Sequence, residues 1–238
     1  MPLPKIVTPT FELDLPSSGK TIKYRPFLVK EEKLLVIALE SEDTQQITSA
    51  IKAVISDCIL SKDVKIELLP TFDIEYLFLN IRGKSVGEVV EVNIVCPDDG
   101  ETEVKVSISL DEIQVVRNEE HTKTVKLDDT YFMDMRYPSL DQFIRNNFEF
   151  ENPDMDQSFE LIGSCIDKIY DNEEVWSTDD VTPQEVKDFL EQLNSTQFKE
   201  IEKFFSTMPK LSHTIDVKNP KTKKKSKVTL EGLSSFFA

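Results

Sequence analysis

The stretch from Leu69 to Glu88, read with Leu68 as LLPTFDIEYLFLNIRGKSVGE, is the most apolar run in the chain and lies between clear start and stop signals. It predicts a buried central helix. Thr71 or Asp73 supplies the N-cap oxygen that free backbone N–H groups need, with Pro70 just ahead. Ile74, Leu77, Phe78 and Ile81 then recur at helical spacing, while Tyr76 and Leu79 widen the stripe beyond what one neighbour covers. Arg82 and Gly83 close the element, a cation suiting the C-terminal dipole and glycine the left-handed turn. Such a helix has to be enclosed, so the rest of the chain is read for what encloses it. Tyr76, Arg82 and Lys84 are the residues of this stretch expected to reach a partner.

The chain of 238 residues exceeds one modal domain and suits one large domain or two small ones. Its 28 basic and 44 acidic residues leave a charge of −16, which repels phosphate backbones unless the basic residues cluster. Nucleic acid is therefore not the expected partner. No apolar run is long enough to span a bilayer, and the opening MPLPKIVTPTF lacks the basic and apolar segments of a signal peptide, so a soluble, intracellular protein is expected. Cys58, Cys96 and Cys165 are odd in number and widely spaced, as reduced thiols are, with Cys58 and Cys165 on helical patterns. The only histidines are His121 and His213, and no ligand pair stands at metal spacing, so no metal or other cofactor is expected.

The N-terminal part begins with a proline-rich arm and a short hairpin turning at Ser18-Gly19. SSGK there lacks the earlier glycine and the strand-to-helix setting of a phosphate loop. From Val29 the period becomes helical, with Leu34, Leu35, Ile37, Ala38 and Leu39 as a broad apolar face and Glu31 and Glu32 in the first turn. A second helix, capped by Asp43 or Thr44, carries Ile47, Ala50, Ile51, Val54, Ile55 and Cys58 on one stripe.

Val86 to Leu110 is the clearest β region, two alternating strands around the turn Pro97-Asp98-Asp99-Gly100. Thr214 to Leu233 repeats that design, strand, Xaa-Pro turn, strand and a short leucine-bounded ending. The tips differ in sign: Asp98, Asp99, Glu101 and Glu103 in the first, Lys221, Lys223, Lys224, Lys225 and Lys227 in the second. Exposed charge pairs contribute at most about 1 kcal/mol each, so two solvated turns are the plain reading. The sharper one is a basic tip, Lys223, Lys224 and Lys225 at its centre, that docks on an acidic partner.

Val115 to Arg136 predicts two further strands, with His121 exposed in a polar turn. After Pro138, Ser139 caps a helix over LDQFIRNNF, and a second helix near Met155 to Tyr170 presents Phe159, Ile162, Ile166 and Ile169. Trp176 has no periodic neighbours and reads as a loop anchor or a contact residue. Thr182 as N-cap, Pro183 at the first helical position and Glu185 three residues after the cap form a complete helix start. A partner helix follows from Ser195 with Phe198, Ile201, Phe204 and Phe205, giving an αα-hairpin. The final LEGLSSFFA leaves Phe236 and Phe237 to fold back or bury themselves in a partner.

These elements make an α+β fold: a helical N-terminal unit, an antiparallel sheet built from two similar β-hairpins, and a C-terminal helical region. The expected division is 1–85 (arm and helices), 86–137 (β-hairpin region), 138–209 (helices) and 210–238, a second hairpin and apolar tail pairing with 86–137. No nucleophile with its base and no perturbed acid–base pair is legible, so an enzyme is not expected. Carboxylates meeting only in the fold keep a glycosidase-like site open as an alternative.

The order of TFELDLPSSGKTIKYRPFLVKEEKLL, LPTFDIEYLFLNIRGKSVGE, CPDDGETEVKV, MRYPSL, MPKLSHTIDV and LEGLSSFFA resembles, over nearly the whole chain, the baseplate hub assembly proteins of T4-like contractile-tailed phages. The resemblance implies an assembly chaperone or minor hub component that works by protein–protein contacts, in the host cytoplasm during assembly or in the virion tail baseplate. Its partners are then other baseplate hub proteins, with no membrane and no small-molecule substrate. Some relatives look as if they carry cysteine pairs at both hairpin tips, as a zinc ribbon does. This chain departs from that pattern, with Cys96 and Asp99 at one tip and Asn219 and Thr222 at the other, and β contacts alone are expected to join the hairpins. The alternatives from other classes are a hub-associated cell-wall hydrolase accessory and a metal-free ribbon-like nucleic-acid-binding module.

Overall fold

A computed structural model describes residues 6–41, 43–139, 142, 155–232 and 235. The chain divides into two compact units, one formed by Met1–Val116 with Lys210–Ala238 and the other by Arg117–Pro209. Both units combine helices with antiparallel sheets, an α+β architecture.

The first unit opens with the hairpin β1 (Phe11–Asp14) and β2 (Thr21–Tyr24), closed by Gly19 N–H donating to Leu15 O at 2.8 Å. Its inner side chains Leu15, Ile22 and Tyr24 are buried. Helix α1 (Val29–Glu40) and α2 (Thr44–Cys58) follow, α2 capped by Asp43, whose Oδ1 accepts the Gln46 N–H at 3.2 Å. The broad apolar face expected on α1 is only partly covered. Ala38 packs on Ala50 with Leu35 and Ile51 against them, whereas Leu34 and Ile37 remain 41% and 50% exposed, because one small-residue contact with α2 covers only part of that face. Glu31 does more than complement a dipole: buried, it accepts Arg25 Nη2 and the Leu28 N–H, both at 2.8 Å.

Helix α3 (Thr71–Val86) is the buried element that the apolar run predicts, with Ile74, Leu77 and Ile81 enclosed. Its ends differ from expectation. The N-cap is Pro70, without a side-chain cap, while Asp73 points away from the helix end and accepts Ser17 N–H at 2.9 Å from the β1–β2 turn. Gly83 does not stop the helix. It lies where a Cβ would come within 3.2 Å of Leu110 Cδ1, so its missing side chain serves close packing, and Gly87, at φ 122°, ends the element. Phe78 stands at the partly buried edge of the stripe.

The first long hairpin pairs β3 (Val89–Val95) with β4 (Glu103–Ser109) in register from Val89↔Ser109 to Val95↔Glu103. Strict alternation turns Val90, Val92 and Ile94 inward. The second pairs β10 (Lys210–Lys218) with β11 (Lys225–Glu231), and β10 also pairs with β5 (Gln114–Val116), Lys210 facing Val116. The two hairpins thus belong to separate ladders, β3–β4 and β11–β10–β5. They meet through side chains: Leu79 of α3 and Val90, Val92, Ile94, Ile108, Ile113, Leu211 and Val217 form one buried cluster. Residues 210–238 therefore pair with the 86–137 region through β5, while side-chain contacts join the two hairpins to each other.

The second unit holds a meander of β6 (Thr124–Lys126), β7 (Phe132–Met135), β8 (Ile166–Tyr170) and β9 (Val175–Ser177). Helices α4 (Met155–Ser164), α5 (Pro183–Glu191) and α6 (Ser195–Thr207) cover it around Val125, Met133, Ile162, Ile166, Leu190, Ile201 and Phe204. The helix expected to run from Met155 to Tyr170 stops at Ser164, whose hydroxyl donates to Leu161 O at 2.6 Å. Beyond it, Ile166 to Tyr170 extend because they complete the ladder to β7, and Cys165 is buried at the junction instead of on a helix face. Trp176 lies on the edge strand β9 and not in a loop, 39% exposed, its ring 6.2 Å from that of Tyr131. The expected helix over LDQFIRNNF falls largely outside the described residues.

Candidate functional site

The two hairpin tips fold alike. In the first, Cys96 N–H donates to Thr102 O at 2.8 Å and Gly100 N–H to Cys96 O at 2.9 Å; in the second, Asn219 N–H donates to Lys224 O at 2.9 Å and Lys223 N–H to Asn219 O at 3.0 Å. Cys96 and Asn219 are structural equivalents, both about 1% exposed. Lys223 takes a left-handed φ of 64° where Gly100 takes 69°. A lysine held there bears backbone strain that glycine avoids.

Across the tips runs a polar clasp. Asn219 Nδ2 donates to Asp98 Oδ1 at 2.9 Å and to Asp99 Oδ2 at 2.8 Å, and the Thr222 hydroxyl donates to Asp98 Oδ2. Asn219 Oδ1 meanwhile accepts Lys221 N–H at 2.8 Å and Thr222 N–H at 3.2 Å, which fixes the orientation of the amide. Asp99 also accepts the Glu101 and Thr102 amides at 3.1 and 3.0 Å. These donors hold both carboxyls below the usual range: Thr222 and then Asn219 for Asp98, Thr102 and then Asn219 and the Glu101 amide for Asp99. Burial, together with the two aspartates, pushes the Cys96 thiol up.

A ribbon zinc would need ligands at Cys96, Asp99, Asn219 and Thr222. The residues present do not fit it. One thiol, one carboxylate, one amide and one hydroxyl are no tetrahedral thiolate set, and the amide hydrogens of Asn219 point where a cation would have to sit. Among the described residues no group of three or more metal-ligating side chains converges.

Among the described residues the basic tip is held by no ion pair, although Asp216 stands opposite Lys227 on the β10–β11 ladder. Lys218, Lys221, Lys223, Lys224, Lys225 and Lys227 are exposed, and among the described residues none forms an ion pair. Lys218 and Lys225 stand directly opposite each other on the β10–β11 ladder. Like charges paired across strands destabilise a hairpin.

Of the other residues singled out by sequence, Tyr76, Arg82 and Lys84 lie on α3. Tyr76 packs partly buried against the hairpin core. Arg82 lies half-buried on α3, its pKa lowered by burial, and Lys84 is engaged with Glu88 and with the Phe11 ring at 5.3 Å. Trp176 belongs to the second unit, and Phe236 and Phe237 are outside the described residues. His121, expected in solvent, is half-buried: Nδ1 meets Thr207 Oγ1 and Nε2 meets the Tyr137 hydroxyl, each at 3.0 Å, with Phe204 against the ring. Thr207 donates its own proton to Lys203 O at 2.7 Å, so Nδ1 carries the hydrogen and Nε2 accepts from Tyr137. These contacts tie α6 to the turn before β6. A cleft of about 600 Å³ in the same unit is lined by Arg136, Asp156, Phe159, Ser164, Val186 and Lys187, and Lys187 pairs there with Asp156 at 2.7 Å.

The described residues form an α+β scaffold in which neutral donors clasp one hairpin tip to the other and an exposed lysine cluster crowns the second. Residues 8–238 match the family model described as T4 bacteriophage base plate protein, and the chain belongs to that family. It is a structural protein of the phage baseplate, in contact with other phage proteins. No curated protein and no solved structure matches it. Among the described residues, no helix is long and apolar enough to cross a membrane.

Proposed function

We propose that this baseplate protein serves assembly of the hub at the centre of the baseplate, as an assembly chaperone or a minor hub component, and that it does so without catalysis. The observation that supports this most is the state of the two carboxylates at the hairpin tips. Asp98 and Asp99 are held ionised by neutral donors, the opposite of the raised pKa a general acid needs. The groups that in a hydrolase would be poised for proton transfer here hold two hairpins together. Contact residues on this reading are the lysine tip, Trp176, Tyr76, Arg82 and Lys84, together with the terminal Phe236 and Phe237.

Phage lacking the gene, complemented in trans, tests the assignment. The expected result is tails arrested without a hub and restored by the full chain, and normal tails without the protein refute it. Mass spectrometry of purified virions beside free protein from infected cells then separates chaperone from component. Deleting Leu233 to Ala238 should weaken assembly, and turnover of cell-wall substrate by the purified protein would overturn the non-catalytic reading.

A further inference from the structure

The lysine tip lies beside two carboxylates whose oxygens are bonded by neutral side chains. The ten residues 218–227 contain six lysines and no acid, in a chain of net charge −16. The carboxylates of Asp98 and Asp99 are next to this turn, and lysines there would be the ordinary partners for them. Instead, the neutral amide of Asn219 and hydroxyl of Thr222 occupy those oxygens. Asn219 is 1% exposed, and its Oδ1 also fastens the turn that carries Lys221, Lys223 and Lys224. Lys223 is kept in a left-handed conformation and Lys218 faces Lys225, two arrangements that cost stability. A turn under no demand but solubility gains nothing from either.

We infer that the Lys218–Lys227 turn is a preorganised cationic finger that docks on an acidic protein surface of a baseplate partner, with Asn219 as its positioning residue. This inference rests on the baseplate-assembly reading for where the partner is found. A compact acidic patch suits the finger better than nucleic acid. Asp98, Asp99, Glu101 and Glu103 lie on the adjoining tip, so a long uniform polyanion that engages the lysines is repelled beside them, whereas a protein surface can end where the finger ends. Clasping the finger beforehand removes the ordering cost that a loose lysine loop incurs on binding.

Titration of the full-length, isotope-labelled protein with an oligoglutamate peptide of about twelve residues and with a DNA duplex of about twelve base pairs, read by amide chemical shifts, tests this. The peptide is expected to shift amides of residues 218–227, to lose about tenfold in affinity between about 50 and 300 mM salt, and to bind about tenfold tighter than the duplex. The quadruple variant K221Q/K223Q/K224Q/K225Q, which leaves the clasp residues in place, should retain its melting temperature and lose the peptide by about tenfold or more. Asn219→Ala should weaken it severalfold with every lysine present; unchanged binding there removes the positioning role. Shifts scattered away from the finger, undiminished binding by the quadruple variant, or a duplex that binds as tightly as the peptide overturns the proposal, the last in favour of nucleic acid. Normal tails without the protein defeat the assembly reading and leave the peptide result standing, and loss of the peptide result leaves the assembly reading intact.

Discussion

Helix α3 starts at a proline without a side-chain cap and buries nine of its residues, whereas α5 and α6 each start in a reciprocal capping box and bury one and two. In α5, Thr182 Oγ1 accepts the Glu185 N–H at 3.3 Å and Glu185 returns to the Thr182 N–H at 2.8 Å. In α6, Asn194 and Gln197 do the same. The surface helices are specified by their own ends, and the buried one by what surrounds it. A helix enclosed on several sides has its termini fixed by tertiary contact, such as Ser17 on Asp73 and Leu110 on Gly83.

The contrast makes graded predictions. Leu77→Ala, at a fully buried position of α3, should cost about 3 kcal/mol in urea denaturation followed by far-ultraviolet circular dichroism. A cost near that of a surface change would show that α3 is not the enclosed element. Glu31→Gln should cost about 2 kcal/mol, since it weakens a buried carboxylate's bonds to Arg25 and Leu28. Burial alone would push the Glu31 carboxyl up, but the hydrogen bonds from Arg25, Lys30 and Leu28 outweigh it and lower it to about 2 from the ordinary 4.5. Its contribution is therefore full above about pH 4.5 and lost as pH falls toward about 2, so the wild type and Glu31→Gln should converge in stability across that window.

Gly83→Ala sharpens the comparison by its sign. At an exposed helix site the change stabilises by up to about 1 kcal/mol, but here the new methyl meets Leu110, and a loss of about 1 kcal/mol is expected in the same denaturation experiment. Thr182→Ala and Asn194→Ala should each cost about 1 kcal/mol, with Thr182→Ser nearly neutral. The single tryptophan, Trp176, lies in the same unit as both caps, so its fluorescence reports their melting. No shift in that signal would show that the capping boxes do not hold α5 and α6.

Where structure is made locally, it was legible. The Thr182-Pro183-Glu185 start, the alternation through β3 and β4 and the repeated tip design all follow from neighbours in sequence. The errors fall where distant residues decide. Ile166 to Tyr170 carry apolar residues at helical spacing but are extended by pairing with β7, and Thr71 and Asp73 look like caps until the β1–β2 turn claims Asp73. His121 reads as a turn residue because its partners, Tyr137 and Thr207, lie 16 and 86 positions away. The candidate site was half legible: the resemblance to relatives with cysteine pairs at the tips marked Cys96, Asp99, Asn219 and Thr222, but that an asparagine amide bridges both aspartates depends on how two hairpins in separate ladders face each other.

The pairing of Lys210 with Val116 has a consequence for biosynthesis. Residues 117–209 leave and re-enter the first unit at two facing positions of one ladder, so they are an insertion in a half-finished sheet. Residues 117–209 are synthesised while β5 still has a bare edge and the hairpin core still lacks Leu211 and Val217. The first unit closes last, when β10 and β11 arrive, and the clasp and the finger it carries come into being only with that final step. The clasped form of the basic tip therefore exists only once β10 and β11 have joined the first unit.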